Sequence, residues 1–469
     1  LTGKKQKPLI IFPLFIALAV GFTIKIIYLF VIGPAVYGDD LLIARDAFSY
    51  TNSFINLINT GEYTHTPGYE PASYGRLPGI PFIWGFFYLL FGIPKAYTAF
   101  ALFQIVLDLF AGVMIFKIIQ NFFDQRTALI VVWCYVMFPL NTYFVVRTDV
   151  DYLSLFSIIL VFHQLVFLKT NLKQFILLGV SLVAAFFIRE TLILLTPICF
   201  FYLARNYKIN LKYYFSLILV MFVLYLPWPI RNYIRSDKIV LVKPLSAGYR
   251  EYSGDILGYM SWIYSWHNCD AEDCWIYIYD LEKEIHFPDE IFSTPTEKKI
   301  ATDLVVLAQR KGSGFSIWRN RNDPEKIDSS GKYDALINRG FDLLEHNFKA
   351  THPFTYYVKI PLQNLSKAFF KNSLTFEGPT PPLIFKVTMI VRTFLVLLGI
   401  FSCFYYWQFD YFKISLIFSM GIYLFFSVVF RHIEMRYLFQ ADVVMMIAAM
   451  VFIAEKIKKK KIKQTPTLF

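Results

Sequence analysis

Asp46 and Tyr50 open the stretch in which this chain gathers its most chemically suggestive residues. From Asp46 to Pro81 the sequence runs DAFSYTNSFINLINTGEY, then through a Tyr-, Pro- and Gly-rich turn region to YGRLPGIPF. The rhythm Phe48, Phe54, Ile55, Ile58 predicts a helix that Gly61 stops. Asp46 and Tyr50 then share one face, a single turn apart. A carboxylate placed there can take a proton from an attacking group as a general base. It can also simply cap the helix that it opens, a role worth about 1 kcal/mol. Seven arginines (Arg76, Arg147, Arg189, Arg231, Arg235, Arg431 and Arg436) lie near the ends of apolar stretches. A guanidinium grips phosphate oxygens in pairs, as an ammonium cannot. Carboxylate and arginines together suit an anionic, phosphate-bearing lipid. The alternative is that the arginines pair with Asp149, Asp151, Glu190 and Glu434, or with lipid headgroups.

Two further clusters carry chemistry-bearing side chains. Asp149-Val-Asp151 is a DxD, the pattern nucleotide-sugar transferases use to hold a metal, but a bare triplet is common. The topology below also turns it away from the cytoplasmic nucleotide-sugar pool, so one of the pair is better taken as a second carboxylate of the site. In HNCDAEDCW, the spacing of Cys269 and Cys274 predicts a small-loop disulfide in an oxidising compartment. A metal site from His267, Cys269, Asp270, Asp273 and Cys274 is the alternative, and no second ligand pair completes a zinc pattern. No metal ligand is assigned. No cofactor is assigned either, with a divalent metal ion left open. Cys134, Cys199 and Cys403 lie in apolar spans as packing residues.

The elements that position these groups are membrane helices. The 469 residues are 56% apolar and 19% aromatic, above the roughly 45–50% apolar share of soluble proteins. Several stretches reach the roughly 20 apolar residues that a spanning helix needs. The net charge of +12 comes largely from lysines that flank spans. It is topology signal and implies no nucleic-acid partner. Lys4, Lys5 and Lys7 place the N-terminus in the cytoplasm, ahead of a first span, 9–32, that is too long for a cleaved signal peptide. Residues 33–96 form a first outer loop in which 77–92, with Pro78, Gly79 and Pro81, is a juxtamembrane or re-entrant helix. Spans then alternate over 97–118, 128–146, 153–168, 175–188, 191–204 and 213–226. A folded, mixed but mainly helical outer segment follows at 231–382. It carries a capping box, Thr294-Pro-Thr-Glu297, helices over 298–310 and 333–348, a break at His352-Pro353, and a short strand at 276–279. Spans at 385–407, 411–430 and 437–454 lead to a basic tail, 456–469. The fold class is therefore an all-α polytopic membrane protein of about ten transmembrane helices, divided into 1–230, 231–382, 383–455 and the tail.

Four segments, in order, resemble the GT-C glycosyltransferase superfamily, in the branch of protein O-mannosyltransferases and lipid A aminoarabinose transferases. They are Asp46-x-x-x-Tyr50 with Gly61, Arg76-Leu-Pro-Gly-Ile-Pro81 with Phe91-Gly92, Pro227-Trp228-Pro-Ile-Arg231-Asn232-Tyr233, and Arg436-Tyr437-Leu438. The likeness covers residues 9–245 well and the last hundred loosely; the outer segment matches nothing familiar. It implies a GT-C-like fold and a polyprenyl-phosphate-linked sugar donor. The acceptor would be a lipid, glycan or protein. The site would face the periplasm or outside of a bacterial inner (plasma) membrane. Asp46 would be the catalytic base, with Asp151 preferred over Asp149 as the second acid. Arg76, Arg231, Arg436 and Arg147 would grip the donor phosphate, and Tyr50 and Tyr74 would line the pocket. A lipid-linked saccharide flippase is the alternative, with Lys25 as a charge inside a span while most others cluster at the outer rim. A glycosidase would not need phosphate-binding arginines, and a scaffold would leave them and Asp46 without a role.

Non-reducing peptide mapping checks the Cys269–Cys274 pairing. One linked peptide is expected, and two free thiols would refute it. So short a loop adds roughly 2–3 kcal/mol at most.

Overall fold

In the computed structural model, residues 11–43, 46–206, 211–267, 272–370 and 383–464 are described. Cys269, and with it the expected disulfide, lies outside them. Among the described residues there are helices and no strand. The first half of the chain forms α1 (Ile11–Ile27), α2 (Gly33–Tyr37), α3 (Ala47–Thr60), α4 (Gly79–Phe91), α5 (Ile93–Phe122), α6 (Gln125–Val136) and α7 (Pro139–Val145). After these come α8 (Val150–Val166), α9 (Leu172–Ile188), α10 (Leu195–Asn206), α11 (Leu211–Tyr225) and α12 (Pro227–Ser236). The membrane helices α19 (Leu383–Tyr405), α20 (Asp410–Leu424) and α21 (Met435–Gln464) close the chain.

Every expected span is helical, but not every one has the length of a span. Among the described residues six helices are long and apolar enough to cross a bilayer, with a seventh if α6 and α7, bent by 58°, are one span. The bend falls at Pro139, which cannot donate to the preceding turn. At 17 residues each, α8 and α9 sit at the lower limit for spanning. The 12 residues of α10 rise only about 18 Å, short of a span, and the 3-10 turn Glu190–Leu194 directly precedes them. The expected juxtamembrane helix is α4, whose 13 residues rise about 20 Å, too short for a core of about 30 Å. Large apolar side chains such as Phe110, Phe215, Phe222, Ile390 and Phe394 face outward on the long helices, as lipid contact requires. The protein is an integral membrane protein.

Charges sort to the two ends of the bundle. At one end Lys458 pairs with Asp124 at 2.6 Å and Arg205 with Asp410 at 3.2 Å. The other end carries Asp46, Arg76, Asp149 and Arg436. Among the described residues, two ion pairs lie inside with no exposure. Lys25 meets Asp108 at 3.0 Å, and Asp108 also accepts from Tyr135 and Asn141. Arg392 grips both oxygens of Asp442 at 2.8 Å, and Tyr423 donates to the same carboxylate at 2.7 Å. Each pair ties helices that are distant in sequence. Lys25 is thus a structural counter-ion with no exposure.

The segment expected outside packs around α13 (Gly254–Trp266) and α17 (Asp334–Thr351), with α14 (Glu272–Tyr279), α15 (Pro295–Lys311), α16 (Ser313–Arg319) and α18 (Ile360–Phe370). Trp262, Phe315 and Phe341 form its buried centre. The capping box forms as expected: Thr294 Oγ1 accepts from the Glu297 N–H at 3.1 Å, and the Glu297 carboxylate accepts from Ser293 N–H at 2.7 Å. The strand expected over 276–279 is instead the end of α14. A four-residue apolar run does not separate the two periods, and Gln309 caps the Tyr277 carbonyl at 2.8 Å where a neighbouring strand would have bonded.

The segment between α12 and α13 doubles back onto the first loop. His65 Nε2 donates to the Ala247 carbonyl at 3.0 Å. Gly75 passes so close that a Cβ would stand 2.1 Å from the Ala247 oxygen. Ala247 and Gly248 both have left-handed backbones, φ 50° and 74°, which costs the alanine more than the glycine.

Two measurements follow. Arg392→Met strands the buried Asp442 charge and is expected to cost about 3–5 kcal/mol, read as a lower thermal midpoint in detergent. Adding Asp442→Asn should restore much of it. Burial in the loop lowers the His65 pKa to about 4, with the nearby Arg76 adding to it and the Ala247 bond opposing it. The unfolded chain, near 6.5, therefore takes up a proton that the folded one refuses between pH 6.5 and about 4. Stability falls as pH drops through that window, by on the order of 3 kcal/mol. A His65→Gln variant should lose this dependence.

Candidate active site

Asp46 precedes α3 with helical dihedrals, and its side chain caps nothing. The first turn is closed instead by its backbone carbonyl, which accepts from the Ser49 and Tyr50 N–H groups. The carboxylate is released for long-range partners. Oδ1 accepts from Arg76 at 3.0 Å and from the Tyr249 hydroxyl at 3.1 Å. Oδ2 accepts from Arg436 at 2.6 Å. Burial alone would push the Asp46 carboxyl up, but Arg76 and Arg436 outweigh it and hold the group well below the usual carboxylate range.

Arg76 is an anchor. Its side chain is 4% exposed, and besides Asp46 it donates to Ser49 Oγ at 2.7 Å, the Tyr50 hydroxyl at 3.1 Å and the Tyr249 hydroxyl at 2.6 Å. Tyr50 therefore meets Asp46 through this shared guanidinium, as the one-turn spacing implied. Arg436, on the first turn of α21, is different. It is 29% exposed beside an Asp46 that is 22% exposed, so this pair is where the cluster opens. Arg436 also contacts Glu434 and lies 3.8 Å from Asp149. His432 bonds Glu434 at 2.9 Å. Burial would raise the Glu434 carboxyl, yet Arg436 and His432 bring it to about 2.

The two aspartates of the DxD separate. Asp149 caps α8 through the Val150 N–H and shares Arg436 with Asp46. Asp151, one residue into the helix, is turned inward and fully buried, held by Arg189 at 2.6 Å and Gln440 at 3.2 Å. A one-residue step followed by a second redirects a side chain around the helix by about 200°, so a sequence match could not decide between them. By position, Asp149 is the neighbour of Asp46.

Other expected residues lie elsewhere. Arg231 donates to the backbone carbonyls of Ser73 and Tyr63 and stacks over Tyr63 and Trp228, so it ties the first loop to α12. Arg147 is bonded to the Tyr143 hydroxyl and stacks on that ring. Tyr74 donates to Glu70 and packs with Tyr63, Leu77 and Trp228. Arg235 pairs with Glu62, and Arg431 binds the carbonyls of Tyr264, Ser265 and Tyr356. The arginines at this end of the bundle are thus largely partnered within the protein. Tyr249, Ser49 and Gln440 carried no sequence signal: Tyr249 lies 203 residues from Asp46 in a segment without periodicity. Among the described residues no group of three His, Cys, Asp or Glu is arranged to hold a metal. The Arg436 guanidinium lies between Asp46 and Asp149, where an ion bridging those carboxylates would sit.

Beside the cluster an apolar cavity of about 740 Å³ opens between α9, α10 and α11, lined by Leu182, Phe186, Phe200, Met221, Phe222 and Leu241 among others. Glu190 is its charged member, paired with Lys243 at 3.0 Å. Glu190 follows directly on the Arg189 that holds Asp151.

Residues 71–230 match the family model described as dolichyl-phosphate-mannose-protein mannosyltransferase. No curated protein matches the chain. Among solved structures, the oligosaccharyltransferase AglB from Archaeoglobus fulgidus aligns with a TM-score of 0.48 at 12% identity, over 98% of this chain and 52% of that one. ArnT from Cupriavidus metallidurans aligns with a TM-score of 0.40 at 12% identity, over 96% and 79%. The chain spans about half the length of AglB. The matched stretch, about a third of this chain, runs from the turn before Arg76 to the residue before Arg231, the same module that positions Arg76, Asp149 and Asp151.

Proposed function

We propose that the protein transfers a sugar from a polyprenyl-phosphate donor to an acceptor hydroxyl or amine, with inversion, on the extracytoplasmic face of a bacterial plasma membrane. The observation that carries this reading is the half-open Asp46–Arg436 pair at one end of the helical bundle. On this reading its carboxylate serves as the base and its guanidinium as the phosphate-binding cation, side by side. The apolar cavity ending at Glu190 and Lys243 suits the prenyl chain. The matched family, described as dolichyl-phosphate-mannose-protein mannosyltransferase, supports a lipid-phosphate donor.

In the proposed step the acceptor oxygen or nitrogen attacks the anomeric carbon as the bond from that carbon to the phosphate oxygen breaks. The acceptor proton passes to Asp46, and polyprenyl phosphate leaves with one more negative charge, which Arg436 stabilises. A carboxylate accepts along about four directions, and the three donors on Asp46 leave one at Oδ2, the side that opens. Because Asp46 is held so acidic, it is a weak base, and proton transfer must run together with departure of the phosphate. We assign Asp149 as the second acid, beside Arg436, in place of the buried Asp151. Arg76 becomes the residue that fixes Asp46, and donor binding falls to Arg436.

The test is release of polyprenyl phosphate from purified protein given candidate polyprenyl-phosphate sugars. Asp46→Asn is expected to lower turnover 10²–10⁴-fold with donor binding largely kept. Arg436→Gln is expected to raise the donor KM. Asp46→Asn at near wild-type turnover in a folded preparation would refute the assignment. Since Asp46 stays ionised through the neutral and mildly acidic range, any acid limb of the rate profile above pH 4 should persist in Asp46→Glu.

A further inference from the structure

We propose that Tyr249 is a positioning residue for Asp46, fixing Oδ1 so that Oδ2 alone meets the acceptor. This rests on the proposed role of Asp46 and deepens it. The Tyr249 hydroxyl donates its one proton to Asp46 Oδ1 at 3.1 Å and accepts from Arg76 at 2.6 Å. Arg76 reaches the same Oδ1 at 3.0 Å. Three groups thus close a triangle that stops the carboxylate from turning about its terminal bond, a torsion that is otherwise broad.

The delivery of Tyr249 is built into the backbone. Two successive turns, Ala247 N–H to the Pro244 carbonyl at 2.9 Å and Tyr249 N–H to Ser246 at 3.1 Å, put Ala247 and Gly248 in the left-handed region. A Cβ at Gly248 would stand 2.4 Å from the Pro71 carbonyl oxygen, and one at Gly75 would strike Ala247, so two glycines permit the close approach. The His65 ring bonds Ala247 and lies 5.0 Å from the Tyr249 ring, centroid to centroid. A tolerated left-handed alanine and two close backbone passages, converging on one hydroxyl, mark a fixed part of the site. The upstream half of the same segment contributes Leu241 and Val242 to the cavity wall and Lys243 to Glu190.

Tyr249→Phe keeps the ring against His65 and removes only the hydroxyl. It is expected to lower kcat about 10- to 100-fold, the effect of losing one hydrogen bond to a charged group, with donor KM changed by less than about twofold. Tyr249→Ala should lose at least as much. A Tyr249→Phe variant with wild-type kcat, or one altered only in acceptor KM, would overturn the assignment. If wild-type protein releases no polyprenyl phosphate, the proposed function fails by itself. The Tyr249–Asp46 contact is then read by a double-mutant cycle of Tyr249→Phe and Asp46→Asn on thermal unfolding. Coupled effects support it, and additive ones overturn it.

Discussion

A carboxylate that sits mostly out of water has to be neutralised, and the rest of this molecule is arranged around how Asp46 meets that demand. Its two cations come from opposite ends of the chain, Arg76 from 30 residues away and Arg436 from 390. Leaving either oxygen unpaired would cost several kcal/mol, so the first loop and the last membrane helix are held together by the same requirement. The site therefore exists only once α21 has packed against the N-terminal module. That explains why a chain with a large outer segment between its two membrane parts can still build one compact centre.

The same requirement is met differently in the membrane interior. Lys25 with Asp108, and Arg392 with Asp442, are sealed pairs with no exposure. Their carboxylates are further bonded by Tyr135 and Asn141 in one case and Tyr423 in the other. Nothing can enter such a pair without breaking the helix packing around it. Asp46 and Arg436 have the same charges but keep part of each side chain open. Exposure, and not the presence of charge, separates these sealed pairs from the one proposed to react.

The helical architecture was legible because apolar runs of membrane length admit one solution: a helix that satisfies its own backbone. Span ends were less so, since Pro139 and the 3-10 turn at Glu190 bend or shorten helices without changing their apolar composition. In the site, Asp46, Tyr50, Arg76 and Arg436 could be named because they flank spans where charge is costly. Arg147 and Arg231 satisfied the same criterion and yet bind a tyrosine and backbone carbonyls, because position near the membrane does not fix a side chain's partner. Asp149 and Asp151 differ by a rotation about a helix axis, and Tyr249 arrives through two tight turns; neither leaves a periodic trace in the sequence.

The charge balance around Arg436 sets a condition on the donor. Asp46, Asp149 and Glu434 approach it, while Arg76 is the other guanidinium of the cluster. Among the described residues, three carboxylates face two guanidiniums, before any charge on His432. On the proposed reading a phosphodiester must enter this field, which would bring a further negative charge beside these carboxylates in a partly desolvated site. Such an accumulation is relieved by moving a carboxylate or adding a cation. Glu434 is the carboxylate placed to move, because it is 27% exposed and precedes α21, with the first helical turn behind it to keep Arg436 in place. Asp46 is held from three directions and Asp149 is tied to the start of α8, so neither has that freedom. A phosphate that exchanges with Glu434 on Arg436 would leave the net charge of the cluster almost unchanged, and the energetic cost of bringing an anion to an acidic site would largely disappear.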